Sequence, residues 1–313
     1  MMKPQSLSSG SVLRKKLVHI VRDYQLYLLL IPILAYYIIF HYMPMYGLRI
    51  AFMEYDIIKG FNRSPWVGFK QFEKLFTSPY FLTSLRNTLV ISIYSLVAST
   101  PLPILFALLL NSVHDGFFKK SAQTISYAPH FISTVVIVGM IKLFLSPTAG
   151  IFNVVITAFG GQPINFMAEP ELFPHIYVWS GIWQNLGWNA VLYIAALGGV
   201  DPQLHEAAQL DGASRLQRMW HVDIPGILPT IIIVFIMNLG GIMNVSFEKV
   251  FLMQNDLNIV TSETIATYTY KQGLQQAKYS YSTATGIFNS LVNIALLVTV
   301  NGISRKVTET SLW

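Results

Sequence analysis

The sequence predicts an all-α membrane protein with six transmembrane helices. Of its 313 residues, 53% are apolar and only 12% are charged, where a soluble domain carries about 25% charged residues. Apolar segments recur at bilayer length: about 20 residues at 1.5 Å each cross a hydrocarbon core about 30 Å thick. Between two of these segments lies a short polar, helix-forming run, Glu206-Ala207-Ala208-Gln209-Leu210-Asp211-Gly212-Ala213. A membrane protein puts such a run in water, where it can touch a soluble partner.

Six segments have the required length: 25–49, 86–111, 122–145, 173–200, 225–247 and 281–303. A polar, basic segment, 1–24, precedes the 25–303 transmembrane domain, and a short tail, 304–313, follows it. The first apolar run is too long for the core of a signal peptide, and no small-residue cleavage site follows it, so it reads as a retained span. Pro101 and Pro103 in the second span and Pro129 in the third lack backbone donors and can kink their helices. Outside the spans, 67–76 alternates aromatic and charged residues in the manner of an interfacial, amphipathic element. There is no tandem repeat, low-complexity tract or separate soluble domain.

An even number of spans puts both termini on one side, together with the short connections 112–121 and 201–224. That side holds Arg14, Lys15, Lys16, Arg22, Lys119, Lys120, Arg215, Arg218, Arg305 and Lys306, packed close to span ends. The longer connections 50–85, 146–172 and 248–280 carry their basic residues more thinly. The density of positive charge therefore predicts cytoplasmic termini and a cytoplasmic 201–224 loop.

The 201–224 loop has the chemistry of a helical elbow. Asp201-Pro202 supplies an N-cap acceptor and a ring that fixes φ at the first helical position. Gln203 to Leu210 are good helix formers, and Gly212 can take the positive φ that ends the turn. Ser214 caps a second short helix to about His221, and Pro225 opens the next span. Ala207, Ala208 and Ala213 admit a close partner surface, while Glu206 and Asp211 offer anchors for Arg or Lys across it.

The pattern E-A-A-x-x-D-G-A, followed by Trp220, Pro225 and Pro229, closely resembles the EAA loop of binding-protein-dependent ABC importers. Trp220 stands where that family often has phenylalanine, and Val222-Asp223-Ile224-Pro225 where it often has I-x-L-P. Further segments extend the resemblance along the chain: Tyr42-Met43-Pro44-Met45-Tyr46-Gly47, Ser64-Pro65-Trp66-Val67-Gly68, Arg86-Asn87-Thr88-Leu89, Ala107-Leu108-Leu109-Leu110-Asn111 and Pro129-His130-Phe131-Ile132-Ser133. Together they look like a maltose-type sugar permease of the polysaccharide-derived oligosaccharide subgroup. The resemblance implies the type I importer permease fold, with Glu206, Ala207, Ala208, Asp211, Gly212 and Ala213 in a cytoplasmic coupling helix. It also implies a second homologous permease in a heterodimer, two cytoplasmic ATPase subunits and an extracytoplasmic solute-binding protein. The substrate would be an oligosaccharide, with uronate-containing ones a possibility, and the location a prokaryotic cell membrane. ATP and Mg would sit on the ATPase partner and no cofactor on this chain, which has no G-x-x-x-x-G-K-[ST] phosphate loop.

The substrate path has candidates in the polar residues of the spans, which are costly in hydrocarbon unless they find partners or line water. The fourth span is rich in them: Trp179, Trp183, Gln184, Asn185, Trp188 and Asn189. Gln184, Trp188, Asn185 and Asn189 cover an arc of about 140°. Indole faces stack on sugar C–H faces, and carboxamides bond hydroxyls in both directions; the same residues can equally join helices or anchor span ends. Thr285, Asn289 and Asn293 form a second stripe on the sixth span, with Asn238 and Asn244 on the fifth. His130 reads as a helix–helix hydrogen-bonding residue rather than a proton relay. Arg49, Arg86 and Lys142, near outer span ends, either snorkel to headgroups or form a cationic vestibule that favours uronates.

Other functions fit less well. With no cysteine, disulfides, thiol catalysis and thiolate metal sites are excluded. The net charge of +6, placed beside apolar runs, suits anionic lipid rather than nucleic acid. An ion-coupled secondary sugar transporter, the main alternative, would want carboxylates deep in its spans, and none is found there. A membrane enzyme would want clustered catalytic side chains, which the scattered histidines do not provide.

Overall fold

The computed structural model describes residues 22–308. Expectations for 1–21, including Arg14, Lys15 and Lys16, and for the end of the tail at 309–313 lie outside the described residues. Regular structure among the described residues is helical, apart from one isolated bridge between Met53 and Trp66.

The first helix, α1, runs from Tyr24 to Phe52 through a π turn at Ile38–Tyr42 and a 3-10 end at Tyr46–Phe52. Its body buries nothing; its last turns pack against the C-terminal helix and against the helix at Lys70–Thr77. The helix α2, Lys70–Thr77, occupies the expected interfacial stretch. Its buried residues Gln71 and Leu75 are four apart and so share one face.

Ser78 accepts from Phe81 N and starts α3, Pro79–Ser112. This helix begins before the expected span, because Ser78-Pro79 is a cap followed by a first-turn proline. The α-helix is interrupted for one residue at Thr100, directly before Pro101, and then continues through Pro103 to Ser112 as part of the same span-length segment.

The segment expected to cross as one span at 122–145 is instead α4, Phe117–Phe131, and α5, Thr134–Phe144, bent by 101°. Pro129 lacks the donor an α-turn needs, and the chain tightens to a 3-10 turn at Ala128–Phe131. Ile132 and Ser133 are extended, and the Ser133 hydroxyl caps α5. A cap inside an apolar run lets the chain change direction with its backbone groups satisfied.

After the short helix α6, Ile151–Ala158, comes α7, Phe173–Leu197, the central element. It packs on α3, on α4 and on the helix that follows the elbow. Gly187 makes the α4 contact possible: a Cβ there would meet Ser126 O at 2.4 Å. The elbow helix α8, Pro202–Leu210, leads to α9, Arg215–Gly240. The second elbow helix was expected to end near His221. It instead runs on into the span through a π turn at Met219–Asp223, whose wider register precedes Pro225. Short helices, among them α10 (Phe247–Met253) and α11 (Ile265–Tyr270), lie between α9 and the last helix, α12, Tyr279–Thr308.

Among the described residues, four helices, α1, α3, α9 and α12, are long and apolar enough to cross a membrane, and the bent pair α4–α5 makes a fifth if it counts as one span. At 25 residues α7 is long enough, but its Trp, Asn, Gln, Ser and His residues keep it out of that apolar set. Three buried clusters hold the bundle. One, around Ala107, Ala190, Tyr193 and Ile227, lies at the elbow end; the others centre on Val138, Phe173 and Val250, and on Leu75, Phe81 and Tyr268.

Candidate functional site

The elbow is built by local rules. Asp201 Oδ1 accepts from Gln203 N at 2.9 Å, capping α8. The helix closes with Gly212 N to Gln209 O at 3.0 Å and Ala213 N to Ala208 O at 2.9 Å, Gly212 having φ +78°; this is a Schellman closure. Ser214 and Gln217 then form a capping box, with Ser214 N donating to Gln217 Oε1 at 2.8 Å. Glu206, Ala207, Asp211 and Gly212 are exposed, while Ala208 and Ala213 are half-buried. Leu210 is 91% exposed and Leu216 and Trp220 are also bare, so apolar and acidic groups share one open surface.

One link across the elbow has no local signature. His205 Nε2 lies 3.1 Å from Asp223 Oδ1, whose side chain is almost fully buried. It is an ion pair by distance when His205 is protonated, although no hydrogen bond is aligned on that oxygen. The contact ties α8 to the π turn of α9. Beside it, Gly226 lets Val200 approach to where a Cβ would meet a methyl at 2.8 Å.

The second feature is a polar cavity of about 570 Å³ against the middle of α7. Gln184, Asn185 and Asn189 line it, facing Ser95 and Ser99 of α3 and the break between α4 and α5. His130 Nδ1 and Asn185 Oδ1 are 2.9 Å apart, and Asn185 Nδ2 donates to Gly181 O at 3.0 Å. Gln184 Nε2 donates to Ile132 O at 3.1 Å, holding the extended break. Trp188 stacks on the His130 ring at 4.4 Å, beside the cavity.

Other candidates sit elsewhere. Trp179 donates to Tyr94 OH at 2.8 Å, and Trp183 is half exposed; neither lines the cavity. Asn289 and Asn293 both donate to Asn244 Oδ1, at 3.3 and 3.2 Å, and Met243 N donates to Asn293 Oδ1 at 3.1 Å. They fasten α12 to the turn after α9. Arg49 lies over the rings of Tyr46 and Phe61, and Lys142 is exposed.

That turn delivers a residue the sequence did not single out. Lys249 on α10 is buried, donates to Tyr177 O at 3.0 Å and stands 4.8 Å from the Tyr177 ring centre. The ring is itself held by Ser246 N, which donates to Tyr177 OH at 3.2 Å. Lys249 lies in the connection between α9 and α12, and burial lowers its ammonium pKa to about 8.

Comparison with known proteins places the chain in a family. The model for the binding-protein-dependent transport system inner membrane component matches residues 99–309. The chain is 40% identical to the polygalacturonan/rhamnogalacturonan transport system permease protein YteP of Bacillus subtilis (strain 168), over 96% of this chain and 94% of that protein. It is 42% identical to protein LplB of the same organism, over 93% of this chain and 92% of that protein. A crystal structure of a bacterial ABC transporter involved in the import of the acidic polysaccharide alginate contains a chain that matches with TM-score 0.88 and 39% identity. The match covers 94% of this chain and 99% of that one. A second structure holds that alginate transporter with its alginate pentasaccharide-bound periplasmic protein, and matches at TM-score 0.87 and 39% identity over 94% and 98% of the two chains. The fold is that of a type I ABC importer permease, and the chain belongs to the family of binding-protein-dependent transport system inner membrane components.

Proposed function

We propose that this permease subunit imports acidic, uronate-bearing oligosaccharides handed over by an extracytoplasmic solute-binding protein, and that a separate ATPase drives it through the elbow at 201–224. The elbow carries the reading: a short helix with defined caps, with bare Leu210, Leu216 and Trp220 beside exposed Glu206 and Asp211. Apolar side chains left bare on a water-facing surface favour a protein partner. Closure of two ATPase subunits on ATP and Mg pushes the elbow, and the His205–Asp223 contact carries the push into α9. The helices then rock between inward-open and outward-open states around the cavity against α7.

Six spans complete this picture, with α4–α5 as a broken third span, α7 as a polar fourth, and both termini cytoplasmic. A second, homologous but different permease supplies the other half of the gate. The chemistry of the relatives' substrates supports a uronate cargo, and the carboxamides of Gln184, Asn185 and Asn189 suit sugar hydroxyls.

Reconstitution in liposomes with the second permease, the ATPase and the binding protein tests the reading. Uptake of labelled trigalacturonate is expected only with ATP and binding protein together. Glu206→Ala and Gly212→Val should cut uptake at least about tenfold while the subunit still inserts, because positive φ is strained for a β-branched side chain. Uptake driven by an ion gradient without ATP would overturn the proposal.

A further inference from the structure

We infer that Lys249 is an anion anchor in the α7 cavity, binding the carboxylate of a uronate unit as an acidic oligosaccharide passes. The inference rests on the importer reading and assigns its charge selectivity to one side chain. Lys249 is 6% exposed. Among the described residues no carboxylate lies within ion-pair distance of it; its polar partner is the carbonyl of Tyr177, with the ring face alongside. An ammonium has three donors, so two remain for the cavity it lines. A buried cation without a counter-charge is costly unless something brings one.

The surroundings support an anchor rather than a packing accident. A Cβ at position 181 would stand 3.3 Å from Lys249 Nζ, so Gly181 gives the ammonium room against α7. The same wall carries Gln184, Asn185 and Asn189, which bond hydroxyls within reach of a sugar whose carboxylate meets Lys249. The contrast with the larger outer cleft, about 1050 Å³, is informative. There Lys271 is already paired with Glu263 at 2.7 Å, and Lys278 donates to Gln272 and Gln276. Lys74 and Lys278 also line that cleft without a carboxylate partner, but both are exposed to solvent, whereas Lys249 is buried with its charge unanswered.

The test uses the assembled complex in detergent, without binding protein, titrated with trigalacturonate and with its trimethyl ester. Lys249→Met should weaken trigalacturonate binding at least about tenfold, the usual worth of a charge-assisted contact, and leave the ester within twofold. Lys249→Arg should keep trigalacturonate within threefold of wild type. Equal losses for acid and ester in Lys249→Met, unchanged acid binding in that variant, or loss in Lys249→Arg equal to that in Lys249→Met would each overturn the inference. Competition that follows chloride concentration, with no preference for the acid over the ester, would mark a small-anion site and overturn it too. Failure of the importer reading is seen separately, as absence of ATP- and binding-protein-dependent uptake in the wild type.

Discussion

Lys249 keeps its charge at neutral pH against the cost of burial, and that makes its function testable by titration. Burial destabilises the charged form and lowers the pKa to about 8. For a base so lowered, the cation is present below that value and is lost as pH rises through it. A uronate carboxylate stays ionised throughout this range. Trigalacturonate binding by wild type should therefore fall about tenfold between pH 7 and pH 9. Tyr177 of α7 and His130 beside the α4–α5 break are the other titratable groups lining the cavity with this ammonium, while Glu248 on its own helix is exposed to solvent. Lys249→Arg stays charged throughout, so a flat profile in that variant separates Lys249 from its neighbours, and a parallel fall in both would assign the effect elsewhere. The sequence offered no sign of this residue. In the chain it is one of several lysines in the connection between α9 and α12; its burial comes from Tyr177, and from a turn fastened by Asn289 and Asn293 on another helix. By contrast Gln184, Asn185 and Asn189 were readable, because helical spacing alone gathers them on one side of α7.

The elbow shows how far local chemistry reaches. Its N-cap at Asp201, its positive φ at Gly212 and its capping residue Ser214 follow from residue type within a few positions. What local reasoning missed is the continuity of the second helix into α9, which depends on a π turn, and the His205–Asp223 link. The bend between α4 and α5 was missed for a related reason. Pro129 was read as a kink, but a turn of 101° also needs Ser133 to cap the new helix and Gln184 to hold the break from another element. A carboxylate as buried as Asp223 is costly once its partner is gone, by about 3–5 kcal/mol for a fully buried pair and less here, where His205 is partly exposed. His205→Ala should thus lower the thermal midpoint of the solubilised complex by several degrees, and adding Asp223→Asn should restore part of the loss. If the double variant is as unstable as the sum of two independent losses, the contact carries no coupling energy. In liposomes the same single variant should raise the ATP consumed per oligosaccharide imported, since the elbow would move without taking α9 along.

The entire most apolar stretch of α1 is unburied within this chain, so bilayer or partner subunits must cover it. A helix of that length and hydropathy, standing apart from its own bundle, explains why composition revealed the protein's class more readily than its span count. Hydropathy finds α1, α3, α9 and α12. It undervalues α7, whose polar residues are turned to a cavity and to neighbouring helices, and it cannot see that an apolar run such as 122–145 is broken and bent by 101°. The proposed six-span arrangement with cytoplasmic termini makes a prediction this chain is suited to test, because it has no cysteine to remove. A single cysteine at Leu210, 91% exposed on the elbow, should react with a membrane-impermeant maleimide only in inside-out vesicles. One at Phe159, 89% exposed in the connection before α7, should react only from outside intact cells. The two sites are separated by α7 alone among the long helices, so opposite labelling establishes that α7 crosses despite its polarity. Labelling of both cysteines from the same side would mean that α7 does not span, and would remove the wall on which the proposed path is built.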